Sequence, residues 1–262
     1  VRRLDDPISA MWVALATTLV VAGASGARAE AADVDPEAVK TLRRTLDYLD
    51  GLDRFSVDIE NMVDEVLASG QKIQLDVSVS TTVDRPDKLR VRRDDGVISQ
   101  DWYYDGKTLA LYSRSDGYYA TAAAPGTIEE MLVFARNSLG LIAPASDLLY
   151  KNAFSLMMQD VTAATVVGKA VVGGVRCDHL AFHRPDVDFQ VWVADTGNPL
   201  PLKYVVTDTT AAEQPDTISV MSHWNVAPKV TEAMFTFVPP KGAKQTEFMP
   251  LASWVDSAGA SR

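Results

Sequence analysis

The stretch KIQLDVSVSTTV, Lys72 to Val83, sets apolar Ile73, Leu75, Val77, Val79 and Val83 against polar Gln74, Asp76, Ser78, Ser80 and Thr82. Successive side chains of a strand point to opposite faces. Strict alternation therefore predicts a strand with one apolar and one wetted face, the mark of an antiparallel sheet. A chain that contains it must supply something to cover the apolar face.

The flanking sequence continues the pattern. FSVDIENMV places Phe55, Val57, Ile59 and Val63 on one face, and DKLRVRR alternates Leu89 and Val91 with Lys88, Arg90 and Arg92. VISQDWYYDGKTLALYSR reads as two strands turning at Asp105-Gly106, and DGYYATA adds a short one. After a break, ATVVGKAVV, VRCDHLAFH, DFQVWVAD, LPLKYVVTD, TISVMSHWNV and MFTFVPP resume the strands.

Helical signals occupy two places. Before the strands, DVDPEAVKTLRRTLDYLDGLD has Asp35 as N-cap, Pro36 in the first turn, Val34 and Val39 set for a hydrophobic staple, and Gly51 as the stop. Val39, Leu42, Leu46 and Leu49 recur at helical spacing. In mid-chain, Thr127 and Glu130 form a capping box ahead of Ile128, Met131, Leu132, Ala135 and Leu139. Val133 and Phe134 lie off that stripe, and PASDLLYKNAFSLMMQD predicts two further short helical pieces. Helices apolar on more than one side are buried or cover something apolar. Helix, strands, helical insert, strands predicts an α+β fold with one large antiparallel sheet.

The first residues read as a leader. Arg2 and Arg3 precede the apolar run AMWVALATTLVVAGA and the small-x-small ARA ending at Ala29. We expect a signal peptide over 1–29, a folded domain over 30–250 and a loose tail over 251–262. No later run approaches the roughly 20 apolar residues of a membrane-spanning helix, so no integral membrane segment is expected after cleavage. A net charge of −10 disfavours nucleic acid, which is bound through clustered Lys and Arg. A lone cysteine permits no internal disulfide, so the core holds by burial.

GGVRCDHLAFHRP carries that cysteine, Cys177, with His179 and His183. On a helix the two histidines would share a face, as zinc ligands do. On a strand, four residues span about 13 Å, too far for one ion at about 2.1 Å from each. The Gly173-Gly174 turn and the apolar neighbours favour the strand, with a buried thiol. A metal or hydrolytic site at Cys177 and His179, aided by His223, stays as an alternative. Nucleophile-elbow, phosphate-loop and His-Glu-x-x-His motifs do not occur. The KLRVRR run reads as a solvated strand face beside Asp84, Asp87 and Asp94, or as a holder for an anionic head group.

LDGLDRFSVDIE, RPDKLRV followed by WYYDGKTLALYS, and the closing FTFVPPKGAK together resemble the LolA-like superfamily of periplasmic lipoprotein carriers. CDHLAFHRPDVDFQVWVADTGNPLPLKYVVTD is similar, more narrowly, to its family of predicted periplasmic proteins of unknown function. The resemblance implies an open, unclosed antiparallel β-barrel, in effect a strongly curved sheet, with an N-terminal helix and a helical lid inserted mid-chain. It also implies the periplasm of a Gram-negative bacterium and a lipid or acylated protein as ligand.

The expectation is thus a non-catalytic carrier without cofactor or metal, its apolar hollow lined by Leu75, Val77, Val79, Trp102, Met131, Leu132, Phe134, Leu156 and Met157. An envelope protein-interaction or stress-sensing module using the same sheet is the alternative.

Overall fold

The alternation at Lys72 becomes the second strand of a single twelve-stranded sheet. The computed structural model describes residues 34–141 and 143–248; the expected leader and loose tail lie outside them. Chain order is α1 (Pro36–Asp50), then β1 (Arg54–Val66), β2 (Lys72–Asp84), β3 (Lys88–Asp94), β4 (Ser99–Tyr104), β5 (Thr108–Ser113) and β6 (Tyr118–Ala123). The helical insert is α2 (Ile128–Leu139), a 3-10 turn at Ser146–Leu149 and α3 (Ala153–Met158). Then come β7 (Ala163–Val172), β8 (Val175–His183), β9 (Val187–Ala194), β10 (Pro201–Asp208), β11 (Asp216–Asn225) and β12 (Lys244–Gln245).

Strands β1 to β6 form one meander and β7 to β11 another, and the two join where β1 pairs with β11. β7 and β12 are the ends, so the sheet does not close. The pairing is antiparallel except that β12 runs parallel to β6. Gly106, at φ 90, makes the β4–β5 turn in a region that L-residues avoid; a Cβ there would sit 2.5 Å from Asp87 Oδ2.

The helices cover one face of this sheet. Asp35 caps α1 by accepting from the Glu37 N–H at 2.8 Å. The helix buries Ala38, Leu42, Leu46 and Leu49 and packs against β7, β8 and β9. The capping box of α2 is present as predicted, Thr127 and Glu130 exchanging bonds, and Gly140 ends the helix in the left-handed region. Ile128, Met131, Leu132 and Ala135 are its buried residues.

MFTFVPP does not form the expected closing strand. A 3-10 turn at Glu232–Met234 interrupts the alternation, and the two prolines that follow lack the N–H a ladder needs. Phe235 is buried at 1% exposure. Phe237 packs among Tyr103, Tyr112 and Tyr119 at 5.1–5.8 Å between ring centres. These tyrosines lie on the face opposite Trp102, so the C-terminal segment crosses the outside of the sheet before reaching β6.

Candidate functional site: an apolar hollow beneath a short lid

The registers arrange the inner face of β1 to β5 in rows. Phe55, Val83, Leu89, Tyr104 and Leu109 form the deepest, each at most 2% exposed. Val57, Thr81, Val91, Trp102 and Leu111 form the next, then Ile59, Val79, Arg93, Gln100 and Ser113. The longer β1 and β2 continue outward through the pairs Asn61–Val77 and Val63–Leu75, and Leu75 is 49% exposed. Exposure is thus least in the Phe55–Leu109 row and reaches 49% at Leu75, although Asn61 stays buried at 2%.

Between these rows and the insert lies a cavity of about 500 Å³, within the 300–1,000 Å³ usual for small-ligand sites. Its sheet wall runs from Trp102 across β3, β2, β1 and β11 to Tyr204 and Val206 of β10. Leu132 and Arg136 of α2, Leu141, and residues 143–150 form the facing wall. That last segment is tied down by Arg85, whose Nη2 donates to the Leu149 carbonyl at 2.8 Å while Nη1 meets Glu129 at 3.2 Å.

Of the residues named from sequence, Leu75, Val77, Val79, Trp102 and Leu132 line this cavity. Met131, Phe134, Leu156 and Met157 do not lie on its wall. Met131 is fully buried in the core, one residue round the helix from Leu132. Phe134 lies, half-buried, on a different face of α2. α3 packs on α1 and the 3-10 turn, which buries Met157 in the core and leaves Leu156 41% exposed. The lid over the cavity is thus the irregular segment 143–150 with the end of α2, and α3 lies against α1 and the 3-10 turn.

Sequence reasoning missed Tyr204, Met221 and Trp224 on the far wall. The alternation marked their strands, but only the β1–β11 pairing brings them opposite the first meander. Three wall side chains are charged: Arg93, Arg136 and Asp147. Burial pushes the Asp147 carboxyl above the usual carboxylate range, against the opposing pull of Arg136 and Tyr204. The Trp102 indole N–H is buried and finds no acceptor among the described residues.

The residues around the lone cysteine lie on a strand, β8, as their neighbours implied. Cys177, His179 and His183 alternate on the face away from Leu180 and Phe182. His179 stacks on Trp192 at 4.0 Å and its Nε2 meets Gln190 at 2.9 Å, whereas His183 pairs with Asp188. No group of three His, Cys, Asp or Glu side chains that could hold a metal ion occurs among the described residues. His223 approaches Asp58 and Ser222, but through the same ring nitrogen. A catalytic triad needs the two nitrogens to serve different partners. On the outer face, Arg90, Arg92 and Arg114 converge on the buried Asp101, so most of the KLRVRR charge is answered within the sheet.

Among curated proteins, none matches the chain. Several solved structures are similar. Lipoprotein LppX of Mycobacterium tuberculosis is 16% identical, with a TM-score of 0.44 over 75% of this chain and 100% of that one. A chain of the Pseudomonas aeruginosa MucA/MucB complex is 16% identical, with a TM-score of 0.43 over 77% of this chain and 61% of that one. A LolA superfamily protein of Nitrosomonas europaea is 11% identical, with a TM-score of 0.39 over 76% and 97%. At family level the match is extensive: the model described as predicted periplasmic protein (DUF2092) covers residues 38–249. That span includes every strand of the sheet and the whole insert, and the chain belongs to this family of predicted periplasmic proteins.

Proposed function

We propose that the protein is a non-catalytic periplasmic carrier that takes up the acyl portion of a lipid or acylated protein in the hollow between sheet and lid. One observation carries the reading: a 500 Å³ space with an apolar wall, sealed at the Tyr104 end and open past Leu75. An ordinary core of this composition would close on itself, because protein interiors pack as densely as organic crystals. Each methylene that leaves water for such a wall contributes about 0.8 kcal/mol, so useful affinity needs no covalent chemistry.

Native mass spectrometry of protein purified from its own envelope tests this. The expected result is an adduct with the mass of a lipid or acylated peptide. A clean apo mass, unchanged after incubation with acyl lipids, contradicts the reading.

A second reading rests on the edge strand β7. Val34 bridges Ala164 at the start of this edge; further along, Val167 and Val171 are 54% and 66% exposed, and an edge left unpaired among the described residues accepts a partner's strand. Envelope-protein docking there would be compatible with an occupied hollow. Lysine at Val171 would then abolish capture of that partner and leave the lipid adduct intact.

A further inference from the structure

We infer that the hollow selects amphiphiles with an anionic head, a carboxylate or phosphate, held on its wall between Arg93 and Arg136. This rests on the carrier reading and specifies what the carrier accepts.

The two arginines come from different elements but arrive at the same level. Arg93 belongs to the third inner row, two residues beyond Val91 and four beyond Leu89 of the sealed row. Four strand residues advance about 13 Å. α2 starts at the sealed end, where the Ile128 N–H donates to the Pro86 carbonyl and the Tyr104 hydroxyl reaches the Pro125 and Thr127 carbonyls. Its far end sits over the third row, because Leu139 and Leu141 share a smaller cavity with Gln100, Ser113 and Tyr118, and Arg93, Gln100 and Ser113 are register partners. Arg136 lies eight residues into the helix, an advance of about 12 Å. Both guanidinium groups thus border the cavity at the level of Ile59 and Val79, inside the outer pairs Asn61–Val77 and Val63–Leu75.

Charge singles them out. The chain carries −10 overall, yet this wall carries two arginines against one acid. That acid, Asp147, is in an environment that disfavours its ionised form. Arg93 is steadied by Asp95 Oδ2 at 2.9 Å, while Asp95 Oδ1 is taken up by the Val97 and Ile98 N–H groups. One carboxylate oxygen leaves several guanidinium donors free, since Arg presents five. Arg136 has no ion pair within 4.0 Å among the described residues. A tail inserted toward Tyr104 would bring its head between them, and arginine pairs with carboxylate or phosphate through two parallel bonds.

Binding of oleate and oleyl alcohol, at submicellar concentration and physiological ionic strength, measures the contribution of the head at constant tail. Dioleoyl phosphatidylglycerol against dioleoyl phosphatidylcholine makes the same comparison for a diacyl phospholipid. The anionic member of at least one pair is expected to bind about tenfold more tightly, the scale of one charge-assisted bond pair. The pair that discriminates identifies the source of the head group.

In the double variant Arg93→Gln, Arg136→Gln the preference of the anionic over the neutral member is expected to vanish. Arg92→Gln, on the outer face beside Asp101, removes one charge and is expected to keep it. Equal binding within both pairs, or a preference that survives in the double variant, overturns the inference. Failure of all four ligands to bind the wild type overturns the carrier reading itself.

Discussion

Val77 projects into the hollow midway along β2, where a larger side chain has only empty space to occupy. Val77→Trp is expected to leave the melting temperature within a few degrees of wild type, as the position is half-buried, and to weaken acyl-ligand binding at least tenfold. A probe-displacement titration checks both points. Asp147 makes a prediction of the opposite kind, about protons. Its carboxyl is raised above the unfolded value by burial, so the folded state takes up a proton at a pH where the unfolded chain has none. Stability from this group grows as pH falls toward the unfolded pKa of about 3.9, and Asp147→Asn lacks the effect. Denaturant titrations from neutral pH down to about 4 should show the stability difference, wild type minus variant, moving in favour of wild type. Individual side chains were unevenly legible in the sequence. Alternation identified Leu75, Val77 and Val79 as one face because strand geometry is periodic at two residues. Met131 and Phe134 were misplaced because a helix apolar on several sides does not reveal which side meets core and which meets cavity.

At the scale of elements, the lid depends on one buried cation. Arg85 is 6% exposed and links the Leu149 carbonyl to Glu129. Replacing it with Met removes both bonds and leaves a part-buried carboxylate unpaired. A loss of about 2–3 kcal/mol is expected, with faster amide exchange across residues 143–150 than in the strands beneath. Exchange that rises uniformly through the sheet instead would mean that the segment is part of the core and not a lid. α2 is secured separately by its capping box, and Thr127→Ala should cost about 1 kcal/mol, read as a shift in the denaturation midpoint. Elements with a local cause were readable in advance: α1 and α2 from their caps, the β4–β5 hairpin from Asp105-Gly106. The segment FTFVPP was not. Its alternation imitates a strand, but its phenylalanines serve as separate anchors, Phe235 buried at 1% exposure and Phe237 among the tyrosines outside.

For the molecule as a whole, two meanders share one face and the helices fill it unequally. α1 packs closely on β7, β8 and β9, whereas among the described residues the other half is faced by α2 and the segment after it, and the space left between them is the hollow. No single stretch of sequence encodes that space, since it depends on how far the long β1–β2 hairpin extends past its cover. The most direct test is a crystal structure of the protein with 9,10-dibromostearate, using bromine anomalous scattering to locate the chain. The account predicts peaks inside the space bounded by Val57, Val77, Val91 and Trp102. Peaks confined to the outer sheet face, or side chains collapsed into that volume with no bromine in it, would contradict it.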